Sequence, residues 1–440
     1  MPAVEKQSEV RGEIQARLDG ARVETDRLFD LVRPDSLYER PIPERHRIVF
    51  YLGHLEAFDW NLLRDPIGLK AFRPEFDHLF AFGIDPVDGG LPSDKPSDWP
   101  SLDEVRRYNQ RVRQALDHAI GDTRGTAGDG GERGVLLNVA IEHRLMHAET
   151  LAYMFHQLPL ARKVKPPITP VAEGGPVAPG MVEVPAGSAT LGIPRGKDRF
   201  GWDNEFEANA VEVPAFAIDR YKVTNRDFLR FMASGGYEER SLWQERDWAW
   251  RAGQDVRHPG FWVPAERGWR LRTMFDEIAL PLDWPVYVSH AEASAYARWA
   301  GKKLPTESQW HRAGYGTPQG EERAYPWGAA PPEAPKRGNF DFRSWDPAPV
   351  NAFPGSRSAF GAEDLLGNGW EWTASVFEPF PGFEAFPFYP GYSANFFDGQ
   401  HYVMKGGSPR TASCMLRRSF RNWFQPHYPY VYAGFRCVSN

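Results

Sequence analysis

Up to about residue 160 the apolar positions recur three and four apart, the spacing of helices that each bury one face. The pattern predicts four helices. The first runs from Glu5 to Leu31, and Pro41 and Pro43 interrupt the chain before a second from Arg45 to Leu63. A third follows Ser101, which with Glu104 makes a capping box, and continues through the alternating charges of EVRRYNQRVRQALDHAI. The glycine-rich GDTRGTAGDGGERG separates it from a fourth, between Val135 and Leu158. Four such helices with short or polar links predict a four-helix bundle over residues 1–162.

Residues 163–180, KVKPPITPVAEGGPVAPG, are rich in Pro and Gly and have no periodicity, which reads as a linker. From 181 to 440 the pattern changes to short β-prone runs such as MVEVPAG and AVEVPAFAIDRYKVT. One clear helix lies in VSHAEASAYARWAGKKL, where Ser289 and Glu292 form a capping box and Gly301 supplies the stop. The remainder reads as an irregular α+β domain, without a short-period repeat. The expected fold class is therefore multidomain, an α domain followed by an α+β domain.

Composition narrows the setting. At 440 residues the chain is long enough to bury two or three cores without covalent staples. It has two cysteines, Cys414 and Cys437, which suits a reducing compartment and makes the cytoplasm the expected location. The opening MPAVEKQSEVRGEIQARLDG lacks the apolar core of an export signal, and no run approaches the ~18 apolar residues of a membrane span. A soluble protein without a membrane partner is expected. With 52 basic and 58 acidic residues the net charge is −6, and no concentrated basic block is present to neutralise a phosphate backbone, so nucleic acid is not an expected partner. Aromatic residues make up 14%, with 16 Trp, and most lie among the glycines and prolines of the C-terminal part, as aromatic-lined pockets require.

The candidate chemistry is a histidine set. His143 and His147 in NVAIEHRLMHAETLAYM are four apart, so on a helix they leave the same face one turn apart. His54, in FYLGHLEAFDWNLL, falls on the second helix, and an ion held between facing helices is geometrically feasible. Spacing alone leaves a structural zinc site and unrelated surface histidines open.

The C-terminal part resembles the formylglycine-generating (sulfatase-modifying-factor) fold, related in shape to C-type lectins. The resemblance is carried by FAIDRYKVTNRDF, PVYVSHAEASAYARWAGKKLPTESQWHRAGYG, YPWG, DLLGNGWEWTAS, KGGS and the terminal AGFRC. The N-terminal part is similar to DinB-type four-helix bundles. Together, with one histidine on the second helix and an HxxxHxE element on the fourth, they resemble the ergothioneine-synthase family and its selenoneine-synthase branch.

That resemblance implies a non-haem iron enzyme that uses dioxygen to join a sulfur or selenium donor to imidazole C2 of hercynine. Its iron(II) ligands would be His54, His143 and His147, with Glu149 as an acidic residue that orients a ligand imidazole. Asn422 and Trp423, in SFRNWFQPHYPYVYAGFRC, match the residues that hold the betaine end of hercynine. A trimethylammonium group donates no hydrogen bond, so aromatic faces and carboxylates must recognise it, and Tyr428, Tyr430 and Tyr432 lie nearby in sequence. GNGWEWT and the pair Gly406 and Gly407 read as architectural.

Three departures from the family pattern bear on the donor. Ergothioneine synthases read HExQHxE, whereas this chain has Arg144 and Met146 at those places, so hercynine must be oriented differently in detail. The stretch that carries carboxylate-clamping arginines in γ-glutamylcysteine users reads FDHLFAFGIDPVDGG, without one. The motif where an active-site tyrosine is expected runs Glu378-Pro-Phe-Pro-Gly-Phe383, and Phe380 has no proton to give, which leaves Tyr389 or Tyr392 to substitute. A pocket without carboxylate clamps suits a neutral, hydroxyl-rich donor, so a selenosugar is preferred over a thiol such as cysteine or γ-glutamylcysteine. Formylglycine generation is disfavoured because it needs cysteines five apart, and Cys414 is followed at that distance by Ser419; Cys414 is then expected to be a small buried residue. A non-catalytic binding module would not need the histidine triad, and a DinB-type thiol transferase would leave the second domain unexplained.

Overall fold

The second helix of the chain is apolar nearly all the way round, and it is the one that ends up central. The computed structural model describes residues 2–82, 91–122, 131–168, 173–196 and 199–439. The glycine-rich link after the third expected helix, and Pro170 within the linker, fall wholly or partly outside the described residues. The chain forms two compact units, Met1–Pro166 with Gly196–Phe200, and Pro167–Arg195 with Gly201–Asn440.

The first unit contains α1 (Pro2–Phe29), α2 (Ile48–Leu63), α3 (Pro74–Phe82), α4 (Leu102–Asp122) and α5 (Glu132–Gln157). α2 packs against α3, α4 and α5, and α1 packs against α5. α4 shows the usual division of a surface helix: Val105, Tyr108, Val112 and Leu116 are buried while Arg106, Arg107 and Arg111 are exposed. α2 and α5 bury residues on every side, which fits their place inside the bundle. Ser101 and Glu104 do form the expected capping box, with Ser101 Oγ donating to Glu104 at 2.8 Å and Glu104 N to Ser101 Oγ at 3.4 Å.

Helix boundaries differ from expectation by up to three residues, α1 starting at Pro2 and α5 at Glu132, and one helix was not anticipated. α2 starts at Ile48 and not at Arg45, because Arg47 is extended (φ −62°, ψ 154°) and turns the chain into the helix. α1 ends at Phe29, two residues early. α3 begins with Pro74, which suits the first position of a helix.

The second unit has strands β1 (Met181–Val184), β2 (Gly187–Leu191), β3 (Asn209–Val213), β4 (Phe216–Asp219), β5 (Trp262–Pro264), β6 (Trp269–Arg272), β7 (Glu277–Ala279), β8 (Trp370–Val376), β9 (Tyr402–Lys405), β10 (Asn422–Phe424), β11 (Ala433–Gly434) and β12 (Val438–Ser439). They form small sheets in the orders β1-β4-β12, β2-β3, β5-β6-β7 and β10-β9-β8-β11. A core of Val182, Val184, Phe216, Ile218, Trp310, Leu365 and Val438 lies among them. Its helices are α6 (Asn225–Ala233), α7 (Glu245–Gly253), α8 (His290–Trp299) and α9 (Glu307–Tyr315). Only α8, with its Ser289/Glu292 box, was expected. α6 and α9 begin with caps of the same kind, Thr224 accepting from Asp227 N and Thr306 from Gln309 N, but nine residues are too few for a clear apolar period.

The GNGWEWT segment and the glycine pair are architectural, as read. A Cβ on Gly367 (φ 86°) would sit 2.5 Å from the Asn339 carbonyl, and one on Gly406 (φ 99°) 2.6 Å from that of Leu365. Glu371 of the same segment accepts from Trp310 at 2.8 Å and from Arg436 at 2.6 and 2.8 Å, so the AGFRC terminus is tied into the core.

Candidate metal centre

His54 stands on α2, and His143 and His147 stand on α5. One ring nitrogen from each lies within 4.8 Å of the others. The Nε2 atoms of His143 and His147 are 3.1 Å apart. Two nitrogens bound to one ion at about 2.1 Å and at right angles are separated by about 3.0 Å, so this spacing fits a shared ion. His143 is buried, and His54 and His147 are partly buried.

Several neighbours hold this arrangement. His54 Nδ1 lies 2.7 Å from the Phe80 carbonyl on α3; donating there fixes the tautomer and leaves Nε2 as a lone-pair donor. Phe58 stacks on His143 at 3.4 Å between centroids, Phe50 stacks on His54 at 4.8 Å, and Tyr51 lies 5.6 Å from His147. Burial pushes all three imidazoles towards the neutral form, His54 to about 4 against the opposing Phe80 carbonyl contact and the other two well below their usual range; Arg144 adds to the shift at all three, and neighbouring imidazoles add to it at His143 and His147. Neutral imidazoles with free lone pairs are what a divalent transition metal binds, and three of them suit iron(II).

α3 can approach His54 because residue 53 is glycine. A Cβ there would lie 2.4 Å from Cδ1 of Phe80, whose ring is fully buried. Gly53 and the Phe80 carbonyl were missed in the sequence, although a glycine beside a candidate ligand in an otherwise apolar helix was the available signal.

In the second unit, Asn422 and Trp423 stand on β10, paired with Met404 and Val403 of β9. Asn422 Oδ1 accepts from the Trp423 backbone N–H at 2.9 Å. The indole stacks on Phe377 at 4.2 Å and meets Tyr392 at 5.4 Å and Phe396 at 5.6 Å. Tyr392 is itself stacked on Trp202 at 4.0 Å and lies 5.6 Å from Tyr389, so the two tyrosines and Trp423 share one aromatic cluster. Burial, with the Asp203 carboxylate adding to it, pushes the Tyr389 phenol up to about 12. Phe380 is buried under the Arg421 guanidinium at 4.1 Å. Tyr428 stacks on Phe424, whereas Tyr432 is a core residue packed on Tyr287 and Phe261.

Comparison with known proteins now places this architecture. Residues 169–440 match the sulfatase-modifying factor enzyme 1-like domain, and residues 17–151 match the DinB superfamily. A protein of Mycolicibacterium smegmatis named hercynine oxygenase is 37% identical over 94% of this chain and 96% of its own length. The chain belongs to the ergothioneine-synthase-like family. Ergothioneine biosynthesis protein 1 of Neurospora crassa is 27% identical over 92% of this chain and 55% of its own length. Formylglycine-generating enzyme of Thermomonospora curvata is 33% identical over 45% of this chain and 72% of its own length.

The structure alters two readings of the sequence, those of Arg144 and Cys414. Arg144, at the place of the motif's glutamate, is completely buried and bonded to Glu56 and Asp59 of α2. Cys414 is exposed, contrary to the expectation of a small buried residue, and the buried cysteine is Cys437. Glu149 is buried, but two residues past His147 it leaves α5 on another side of the helix. The arginine-free stretch after Phe76 runs to Gly90, and from residue 83 it lies outside the described residues. Among the described residues, no helix is long and apolar enough to cross a membrane.

Proposed function

We propose that this chain is a non-haem iron(II), dioxygen-dependent synthase that joins a chalcogen donor to imidazole C2 of hercynine, with His54, His143 and His147 as ligands and a selenosugar as donor. The observation that carries the reading is the convergence of three imidazole nitrogens within 4.8 Å, in a chain 37% identical over nearly its whole length to a hercynine oxygenase. Domain boundaries at 162 and 181 belong to the same proposal.

Bound there, iron(II) supplies activation of dioxygen beside the donor's chalcogen. The residues of the chain do the remainder. The histidines hold the ion through neutral lone pairs, and the Phe80 carbonyl keeps His54 in the binding tautomer. Phe50 and Phe58 fix two of the rings and exclude water from their faces. The Trp423 indole attracts the trimethylammonium group of hercynine, and the Asn422 amide offers a donor to its carboxylate. Tyr389 or Tyr392 is the proton donor; the Tyr389 phenol keeps its proton at neutral pH. The overall change balances: the C2–H of hercynine, the Se–H of the donor and dioxygen give a carbon–selenium bond, a selenoxide and water. Forming the new bond and oxidising selenium each supply two of the electrons that reduce dioxygen. Elimination then breaks the selenium–carbon bond to the sugar: the selenoxide oxygen takes a hydrogen from the adjacent sugar carbon, an unsaturated sugar leaves, and selenium stays on the imidazole as the selenenic acid.

The names of the relatives favour a second reading, a thiol donor giving the sulfur analogue by the same balance. Iron-loaded protein incubated with hercynine, dioxygen and either a selenosugar, cysteine or γ-glutamylcysteine separates them by product mass. A selenium-containing product is expected. A product formed only with a thiol overturns the donor, and no product with any donor overturns the reaction.

A further inference from the structure

One buried charge network crosses the bundle beside the histidines. Arg144 of α5 has no exposed surface, and its guanidinium donates to Asp59 at 2.7 Å, to Glu56 at 3.0 Å and to the Leu55 carbonyl at 2.9 Å. All three acceptors lie on α2 within five residues of His54, and Leu55 is its next neighbour. Arg144 is likewise the next neighbour of His143. A weaker contact reaches Thr25 Oγ1 on α1 at 3.4 Å, and Arg113 of α4 bonds Glu56 at 2.6 and 2.8 Å and Asp26 at 2.6 and 2.7 Å. The four long helices are thus joined through one cluster, next to the ligands.

We infer that Arg144 is a positioning residue for the metal centre, fixing the register of α5, which carries His143 and His147, against α2, which carries His54. The inference rests on the proposed metal site. An ion shared between two helices requires their relative slide and rotation to be held to a few tenths of an ångström, because metal–nitrogen bonds tolerate only about 0.2 Å. Apolar contacts between α2 and α5 are non-directional and permit neighbouring registers at similar cost. A planar guanidinium that must meet two carboxylates and one particular carbonyl at once permits one register.

Stability does not account for the cluster. Burying charges costs several kcal/mol each, and well-packed apolar groups generally hold helices together as well or better. The network is not even fully satisfied: among the described residues Asp59 Oδ1 and Arg144 Nε are buried without a hydrogen-bond partner. Specifying register is the better-attested use of such groups. Complete burial also separates this role from substrate binding, since a side chain with no exposed surface cannot touch hercynine or the donor.

The test uses the full chain stripped of metal and titrated with Co(II), reading affinity and the visible ligand-field spectrum, alongside the thermal midpoint. Glu56→Gln/Asp59→Leu/Arg144→Met removes the cluster without leaving an unpaired buried charge on it. Its midpoint should stay within about 5 °C of the parent, while Co(II) binds at least about tenfold more weakly with an altered spectrum. Should that variant fail to fold, Arg144→Lys keeps the charge but loses the fork, and the same change in spectrum is expected from it. Parent-like affinity and spectrum in either folded variant would overturn the inference. His143→Ala is the control on the underlying reading: if it binds Co(II) as the parent does, the metal site itself is wrong, irrespective of Arg144.

Discussion

Gly53→Ala probes the support of the metal centre without touching a ligand. The new Cβ would sit 2.4 Å from Cδ1 of Phe80, and ordinary contact begins at 3.4 Å, so the ring, with the α3 backbone behind it, must retreat about 1 Å. Overpacking of that kind costs about 1–3 kcal/mol, while replacing a helical glycine by alanine returns about 1 kcal/mol. Net destabilisation of about 0–2 kcal/mol follows. The same retreat stretches the 2.7 Å contact from His54 Nδ1 to the Phe80 carbonyl beyond hydrogen-bond range. Loss of such a supporting contact typically weakens metal binding by about 10- to 100-fold. Chemical denaturation measures the first quantity and Co(II) titration the second. Gly20→Ala, on α1 with nothing within 4 Å of its added Cβ, is the reference and should stabilise by up to about 1 kcal/mol. If Gly53→Ala behaves like Gly20→Ala and binds metal as the parent does, the account of α3 as a support for His54 is refuted.

Other consequences are equally specific. His143→Ala and His147→Ala should each abolish iron retention on gel filtration while leaving the far-ultraviolet circular dichroism of the bundle intact; retained iron in either would remove that ligand. Trp423→Ala should raise the KM for hercynine by about tenfold through lost cation–π attraction, with little change in the KM for the donor, and equal changes in both would contradict the assignment. His290, buried on α8 and 3.1 Å from the Thr373 carbonyl, is held by burial at about 3, below the ordinary 6.5. Its neutral form therefore contributes stability that is complete above about pH 6.5 and is lost as pH falls towards 3. Between those limits His290→Gln should lose stability less steeply than the parent, by up to about 1.4 kcal/mol per pH unit in urea denaturation, and parallel slopes would contradict this.

The bundle was legible because its helices are long enough to repeat their period several times, and the i, i+4 spacing of His143 and His147 states their common face directly. What surrounds the ligands was not. α3 offers nine residues beginning with a proline, too few to show a period, yet it supplies the carbonyl that sets the tautomer of His54. Arg144 appeared only as a departure from the HExQHxE pattern, because one residue's charge does not say which helix its side chain reaches; in the fold it is buried among carboxylates 85 and 88 residues away in sequence. The second unit was hardest to read, since its strands are short and its ladders are long-range. β12, at the end of the chain, pairs Val438 with Ile218 of β4, and no local pattern announces such a partner. Cys414 was misread for a related reason: a lone cysteine carries no periodic signal of burial.

The most direct test of the central claim follows the C2 hydrogen of hercynine. Iron-loaded protein is mixed with hercynine deuterated at C2, a selenosugar selenol and dioxygen, and oxygen uptake is recorded together with label release and product mass. The account predicts that deuterium leaves in step with oxygen uptake and that the product carries selenium at C2, with neither event in His143→Ala. Oxygen uptake with the deuterium retained, or label release that does not require the three histidines, would contradict it.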